Sequence, residues 1–352
     1  MALVDAQPVE ADELSRASFS GTASEYFGIW IVNILLTIVT VGIYSAWAKV
    51  RRKRYFHGNT VLLGRTFEYH ARGGQILKGR LIVFGVLIVL GVLNRLHPAF
   101  VAVTWAVYML GLPWLVRRSL RFNARVTSYR NVRFDFVGTT GGAFVATTLG
   151  AIVAFLSLGT LAPLTSRWLW RYILNNLRYG DRAFSADPRL GALYRVWLLP
   201  FLLFVLGAIV VGSGIAMMIA MAHGHAPTSG QRLVVQFFPF LFVLFFGLVA
   251  LVYRVGVRNV VLSAAVLDGR HQLLSDVPRL GYAWVAFSNI LVTMFTLGLM
   301  RPWAAVRMAR YTNEHTGIRV NGDPGEVTSS IEASGSAISA EYVDMEGFDF
   351  GF

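Results

Sequence analysis

Cysteine is absent from all 352 residues. Its absence excludes structural disulfides, thiolate nucleophiles and Cys-ligated metal centres. Charge is also scarce, at 14% of the chain against 55% apolar residues. Soluble domains run to about 25% charged and about 45–50% apolar, so the composition argues against an ordinary soluble enzyme. Scarcest of all is acid in the body of the chain. Between residues 26 and 311 stand 30 Lys or Arg and six acids, Glu68, Asp135, Asp181, Asp187, Asp268 and Asp276, a net charge of +24. None of the six lies in an apolar run, which argues against the buried carboxylates of a proton- or sodium-coupled transporter. An anion pore and a lipid-handling protein stay open. The sequence also lacks GxxxxGK[ST], GxSxG and HExxH, the signatures of phosphate loops, nucleophile elbows and zincins. No catalytic residue, cofactor or metal site is therefore expected.

What the chain does have is apolar runs with basic borders. Such borders mark cytoplasmic flanks of membrane segments, so the positive charge is read as membrane-facing, with no nucleic acid partner. A spanning helix needs about 20 mostly apolar residues. Residues 76–94 with 99–116, and 196–222 with 233–251, read as two transmembrane hairpins. Lys78 and Arg80 would snorkel at the start of the first. Ala208, Gly212, Ala216 and Ala220 form a small-residue stripe suited to close helix packing. His223 and His225 make an HxH in the second hairpin's turn, too few ligands for a metal and read as a solvated turn. His57 and His70 flank a predicted β-hairpin and read as surface residues.

Three further uncharged runs, 26–48, 143–166 and 280–300, are related to one another. NILLTIVTVGIYSAWAKVRRKRY at 33–55 matches NILVTMFTLGLMRPWAAVRMARY at 289–311, with 12 of 23 positions identical and no gap. A weaker copy at 150–172 keeps Ser157, Gly159, Arg171 and Tyr172. Each copy ends an apolar run at Thr/Ser-x-Gly, where Gly tolerates positive φ. Ser45, Pro163 or Pro302 then opens a second helix, and each second helix ends in Arg-Tyr. Seven full spans would put basic stretches on the wrong side with either orientation. The preferred topology is four spans plus three re-entrant or interfacial helix-break-helix elements, with both termini cytoplasmic; seven spans is the rival. Short alternating stretches with turn signals, NTVLLGRTFEYH, RVTSYRNVRFDF, RYGDRAFSA and VLSAAVLDGRHQLL, predict cytoplasmic β-hairpins, joined at most into one small sheet.

The expected fold class is thus mainly α: a polytopic helical membrane protein with internal repeats and short cytoplasmic β-hairpins. Its parts are a disordered acidic N-terminus (1–18), one polytopic domain (19–322, with repeat units 19–135, 136–274 and 275–311) and a disordered acidic tail (323–352).

The string FSGTASEYFGIWIVNILLTIVTVGIYSAWAKVRRKRYFHGNT, with FEYHA, ILKGR and the closing TLGLMRPWAAVRMARY, resembles the YjgN-like family of bacterial inner-membrane proteins over about residues 19–320. The middle copy departs from the motif, with Leu164 at the Trp position. The resemblance implies an inner-membrane location and several spans, and a partner such as a membrane protease. It carries over no activity.

Two sets of residues are candidates for ligand contact. The repeated pairs Arg54-Tyr55, Arg171-Tyr172 and Arg310-Tyr311 suit lipid phosphate at the cytoplasmic interface, since Arg offers a planar donor fork and Tyr sits at headgroup level. The alternative is that the basic cluster at 49–54 simply anchors topology against anionic headgroups. Asn33, Thr37, Asn289 and Thr293, at matching positions of two copies, are polar groups at membrane depth. They either line a polar cavity or hydrogen-bond between helices. The function classes left are a transporter or channel for small or anionic solutes, and a non-catalytic scaffold binding anionic lipid and a partner protein or a second copy. An enzyme stands well behind both.

Overall fold

The computed structural model describes residues 14–222 and 229–321, apart from most side chains between 215 and 239. His223 and His225, and the acidic tail from 323, lie outside the described residues, as do residues 1–13.

Helices come in pairs. The first pair is α1 (Ala23–Val39) and α2 (Ser45–Gly58), and the second is α3 (Gly73–Leu96) and α4 (Phe100–Arg125). The third is α5 (Thr140–Ala143), continued through a π-helical turn (Phe144–Leu149) into α6 (Gly150–Leu156), with α7 (Ala162–Asn175). The last two are α8 (Leu190–Ala222) with α9 (Ser229–Ser263), and α10 (Arg279–Phe295) with α11 (Arg301–Glu314). Four helices are long and apolar enough to cross a membrane: Gly73–Leu96, Phe100–Arg125, Leu190–Gly214 and Phe240–Ser263. They fall where the sequence places the two hairpins. Where α8 meets α9, Phe245 and Phe246 close on Gly207.

The short pairs share one ending. At 1.5 Å per residue, the 17 residues of α1 and of α10 reach about 26 Å, less than a hydrocarbon core of about 30 Å. Each apolar helix then stops in a Schellman motif. The Gly42, Gly159 and Gly298 amides reach back to the Thr37, Ala154 and Thr293 carbonyls at 2.7, 2.8 and 2.7 Å. The glycines do take positive φ, but so does the apolar residue before each: Val41, Leu158 and Leu297 at 50°, 50° and 49°. Pro163 and Pro302 open α7 and α11 as expected. Ser45 caps nothing; its hydroxyl donates to the Gly42 carbonyl.

The β structure corrects the sequence expectation. Instead of short hairpins, or one small sheet joined from them, beneath a helical protein, the described residues form one sheet of eleven antiparallel strands. They are β1 (Leu14–Arg16), β2 (Ser18–Phe19), β3 (Thr60–Leu62), β4 (Arg65–Tyr69), β5 (Thr127–Tyr129) and β6 (Val132–Phe136). Then follow β7 (Leu177–Tyr179), β8 (Arg182–Ala186), β9 (Ala265–Leu267), β10 (His271–Ser275) and β11 (Thr316–Arg319). The four predicted hairpins are where the turn signals put them, and Asp268-Gly269 turns with both residues at positive φ. Each hairpin also pairs with the next: Phe67 opposite Tyr129, Phe134 opposite Tyr179, Phe184 opposite Leu267, Leu273 opposite Ile318. Strand order runs from β1 through β11 down to β2. The two ends of that order are neighbours in the chain, separated by Ala17, so the sheet returns on itself as a near-barrel. The physical reason is edge satisfaction. A lone hairpin leaves two rows of unpaired amides and carbonyls, and closure removes them. The closing strand begins at Leu14, inside the segment 1–18 expected to be disordered. Arg16 secures it through a two-pronged pair with Asp276, at 2.6 and 2.9 Å.

The helices close a circle of their own. In chain order each helix packs on the next, and α1 packs on α11. The returning helices α2, α4, α7, α9 and α11 each enter a strand after a single residue, so every helix pair starts and finishes at the β ring.

Candidate functional site

The single-residue step from helix to strand places the last two turns of each returning helix over the mouth of the β ring. There a cavity of about 770 Å³ lies between the ends of α2, α4, α7 and α11, within the usual size of small-molecule sites. Matching positions build its wall. Four residues before the first strand residue stand Phe56, Asn123, Ile173 and Thr312; at that residue stand Thr60, Thr127 and Leu177. Leu120 and Ala309, seven before, also line it. The wall is mainly apolar, with polar groups from His57, Asn123, Asn313 and the three threonines.

The floor is closed. Phe67, Phe134 and Leu177 line the cavity and belong to a cluster with Tyr129, Val132, Tyr179, Phe184 and Leu267 that fills the ring. Aromatic rings of neighbouring strands pack tilted against each other there, Phe67 to Tyr129 at 4.8 Å and Phe134 to Tyr179 at 5.0 Å between centroids. The phenols are tied to backbone, Tyr129 donating to the Leu62 carbonyl (2.6 Å) and Tyr179 to the Tyr129 carbonyl (2.9 Å).

A cation stands behind the lining residue Asn123. Lys53 sits on α2 one turn before His57, and its ammonium donates to Asn123 Oδ1 at 2.7 Å. It lies 5.1 Å from the centre of the Tyr69 ring. Burial, helped by repulsion from Lys49 and Arg52, pulls the Lys53 ammonium down to about 8. His57 Nδ1 donates to the Lys53 carbonyl at 2.9 Å, which leaves Nε2 as the acceptor. Burial holds the imidazole below its ordinary range. His57 is half-buried in the cavity wall, not the surface residue the sequence suggests; His70 is exposed.

The ligand-contact candidates from sequence, the Arg-Tyr pairs and the intramembrane amides and threonines, lie outside this cavity. The Arg-Tyr pairs serve the joints between helices and strands. Arg54 donates to the carbonyls of Tyr69 (3.2 Å) and Ala71 (3.1 Å), at the exit of the hairpin that follows it. Arg310 reaches the Gly21 carbonyl at 3.3 Å, and Arg171 approaches Asp187 at 3.5 Å. Tyr55 and Tyr172 donate to the carbonyls of Thr22 and Thr139, both at 2.8 Å, pinning each returning helix to the start of its outgoing partner. Tyr311 packs tilted against His315 and comes against Gly281. The amides bridge helices: Asn33 accepts from Arg51 at 3.4 Å, and Asn289 accepts from Arg307 at 3.0 Å while donating to the Ala304 carbonyl at 3.1 Å. Thr37 donates to the Asn33 carbonyl at 2.6 Å, and the Thr293 carbonyl takes the Gly298 amide. Sequence reasoning missed the cavity because its wall comes from four helices. The signal that was available is the position seven residues before each strand, where Lys53 stands among Leu120, Trp170, Arg258 and Ala309.

Known proteins resemble the chain along most of its length. The family described as "Bacterial protein of unknown function (DUF898)" matches residues 15–345. The Inner membrane protein YjgN of Salmonella typhimurium is 25% identical over 358 residues, covering 88% of this chain and 90% of that protein. The Inner membrane protein YjgN of Escherichia coli K12 is 32% identical over 152 residues, 43% of this chain and 38% of that protein. No solved structure matches.

Proposed function

The chain belongs to the family "Bacterial protein of unknown function (DUF898)", and from that premise we propose that it is an integral inner-membrane protein acting as a non-catalytic scaffold. Its four long helices span the bilayer, and its β ring faces the cytoplasm with both termini on that side. The three short helix pairs enter the membrane and return. Support for that return comes from their tips. Val41, Leu158 and Leu297 are 92%, 80% and 94% exposed while held in left-handed backbone, which costs about 1–2 kcal/mol for a residue with a Cβ. An exposed apolar side chain in a strained turn is poorly suited to water and well suited to lipid. The internal repeat reads naturally as five strand–helix–helix–strand passages around one axis. Anionic headgroups and a membrane-protein partner, such as a protease or a second copy, are the partners this architecture would serve. Arg54, Arg171 and Arg310 keep guanidinium N–H groups beyond those given to the chain, out of five each, and these are the donors proposed for lipid phosphate.

The observation that carries the scaffold reading over a channel is the aromatic plug in the ring. A channel needs a continuous polar path, and here the axis ends on Phe67, Phe134, Tyr129 and Tyr179. Reconstitution in liposomes tests this. The protein is expected to give no chloride or phosphate flux above empty vesicles, and the Tyr129→Ala/Tyr179→Ala double variant to leak. Wild-type flux that the plug variant leaves unchanged would overturn the reading.

A further inference from the structure

The cavity over the mouth of the ring has a polar corner and an apolar far wall. Three residues before each following strand, the five returning helices carry His57, Ala124, Leu174, Leu262 and Asn313. The two polar ones stand on α2 and α11, and both line the cavity together with Thr60. Across from them lie Leu120, Phe134, Ile173 and Leu177. None of the described lining residues is Lys, Arg, Asp or Glu. The hydrogen-bonding capacity of this wall is one-sided, because its donors are largely spent. The hydroxyls of Thr60, Thr127 and Thr312 donate to the carbonyls of Phe56, Asn123 and Met308 at 2.9, 2.8 and 2.8 Å. His57 Nδ1 is spent on its own helix, at the Lys53 carbonyl. Since Thr60 gives its proton to Phe56, its oxygen is the acceptor that Asn313 Nδ2 meets at 3.3 Å. That contact fixes the amide and leaves Oδ1 over. His57 Nε2 and Asn313 Oδ1 are thus acceptors without a hydrogen-bond partner among the described residues. An oxyanion calls for several donors and would find few here. A hydroxyl brings the donor that these acceptors lack.

We propose that this cavity binds an uncharged single-chain lipid whose head is a hydroxyl, as in a long-chain alcohol. The hydroxyl donates to His57 Nε2 beside Asn313, and the chain lies along Leu120, Ile173 and Leu177. Three observations select this occupant. The cavity lies on the helix side of the β ring, where a bilayer supplies lipid, and the aromatic cluster closes the other side. Its volume of about 770 Å³ suits one ligand of modest size. Its free polar atoms accept hydrogen bonds and carry no charge. The inference goes beyond the scaffold reading and survives its failure, because occupancy is measured without reference to flux.

The test uses the full chain in phosphatidylcholine nanodiscs with tritiated hexadecanol carrying a diazirine in its chain, and mass spectrometry to locate the label after illumination. Saturable labelling of the segments of α4, α7 and α11 that line the cavity is expected. Unlabelled hexadecanol, hexadecyl methyl ether and palmitate then compete at equal mole fraction in the lipid. The ether keeps the oxygen and loses the donor, so hexadecanol should compete about fivefold better, the worth of one neutral hydrogen bond. Palmitate should compete less well than hexadecanol. His57→Phe keeps an aromatic ring and removes Nε2. It should bring the alcohol down to the level of the ether and leave the ether unchanged, whereas a histidine that only packs would leave their ratio untouched. Met308→Trp and Leu120→Trp, which fill the cavity from opposite walls, should each cut the labelling at least tenfold. The competitor series needs no variant, so it decides even where a filled cavity prevents folding. Three results would overturn the proposal: equal potency of alcohol and ether on the wild-type protein, greater potency of palmitate than of the alcohol, or label confined to segments outside the cavity.

Discussion

At the scale of single residues, arginine serves two different purposes. Six acids in the body of the chain are too few to pair its arginines, and among the described residues several arginines spend donors on backbone carbonyls. Arg54 does so at Tyr69 and Ala71, Arg121 at Phe136 (3.1 Å), and Arg117 at Gly138 (2.8 Å). These carbonyls lie where a strand ends and a helix begins, and a guanidinium reaches two of them at once because its N–H groups form a rigid fork. Arg54→Gln is therefore expected to lower the Tm of the detergent-solubilised protein by about 2 °C, from a loss of about 1 kcal/mol at an exposed site. Arg54→Lys should fall between, since an ammonium is a single point donor. Unchanged melting in both variants would refute the clamp. The Arg-Tyr spacing was legible in the sequence, but its carbonyl partners were not, because a carbonyl has no residue type.

At the scale of elements, the short helix pairs and the long ones differ in reach more than in plan. All leave the β ring and come back to it. In the long pairs, 24 residues or more cover a hydrocarbon core of about 30 Å at 1.5 Å each. The short pairs stop about 4 Å earlier by the same arithmetic and expose an apolar tip. Because the chain has no cysteine, one introduced thiol reports one place. Spin labels at Val41→Cys, Leu158→Cys and Leu297→Cys are expected to be reached by oxygen and shielded from water-soluble nickel chelate, as lipid-buried sites are. Strong chelate access at all three would place the tips in water and remove the argument for re-entry. The breaks themselves were readable, since Thr/Ser-x-Gly carries them. That a Val or Leu, and not only the Gly, takes the left-handed turn was not, because propensity assigns that backbone to Gly.

At the scale of the whole molecule, the proposed topology rests on closure. Ten ends of helix pairs meet one β ring, and under the proposed topology that ring, whose strands are two to five residues long, lies wholly on the cytoplasmic side. Reporters fused after Tyr55, Arg189 and Asp276 should all read cytoplasmic in intact cells, and a periplasmic signal from any of them would reject the arrangement. By itself the sequence determined what is local: apolar runs long enough to span, glycine-marked breaks, turn signals for four hairpins, and basic borders. Each depends on residues within a few positions of one another, where side-chain chemistry acts directly on the backbone. Tertiary structure alone decided that the hairpins join, that residues 14–19 close the circle, and that His57, Thr60 and Asn313 share a corner. Those outcomes rest on backbone hydrogen bonds between strands tens to hundreds of residues apart, which any side chain permits and none announces.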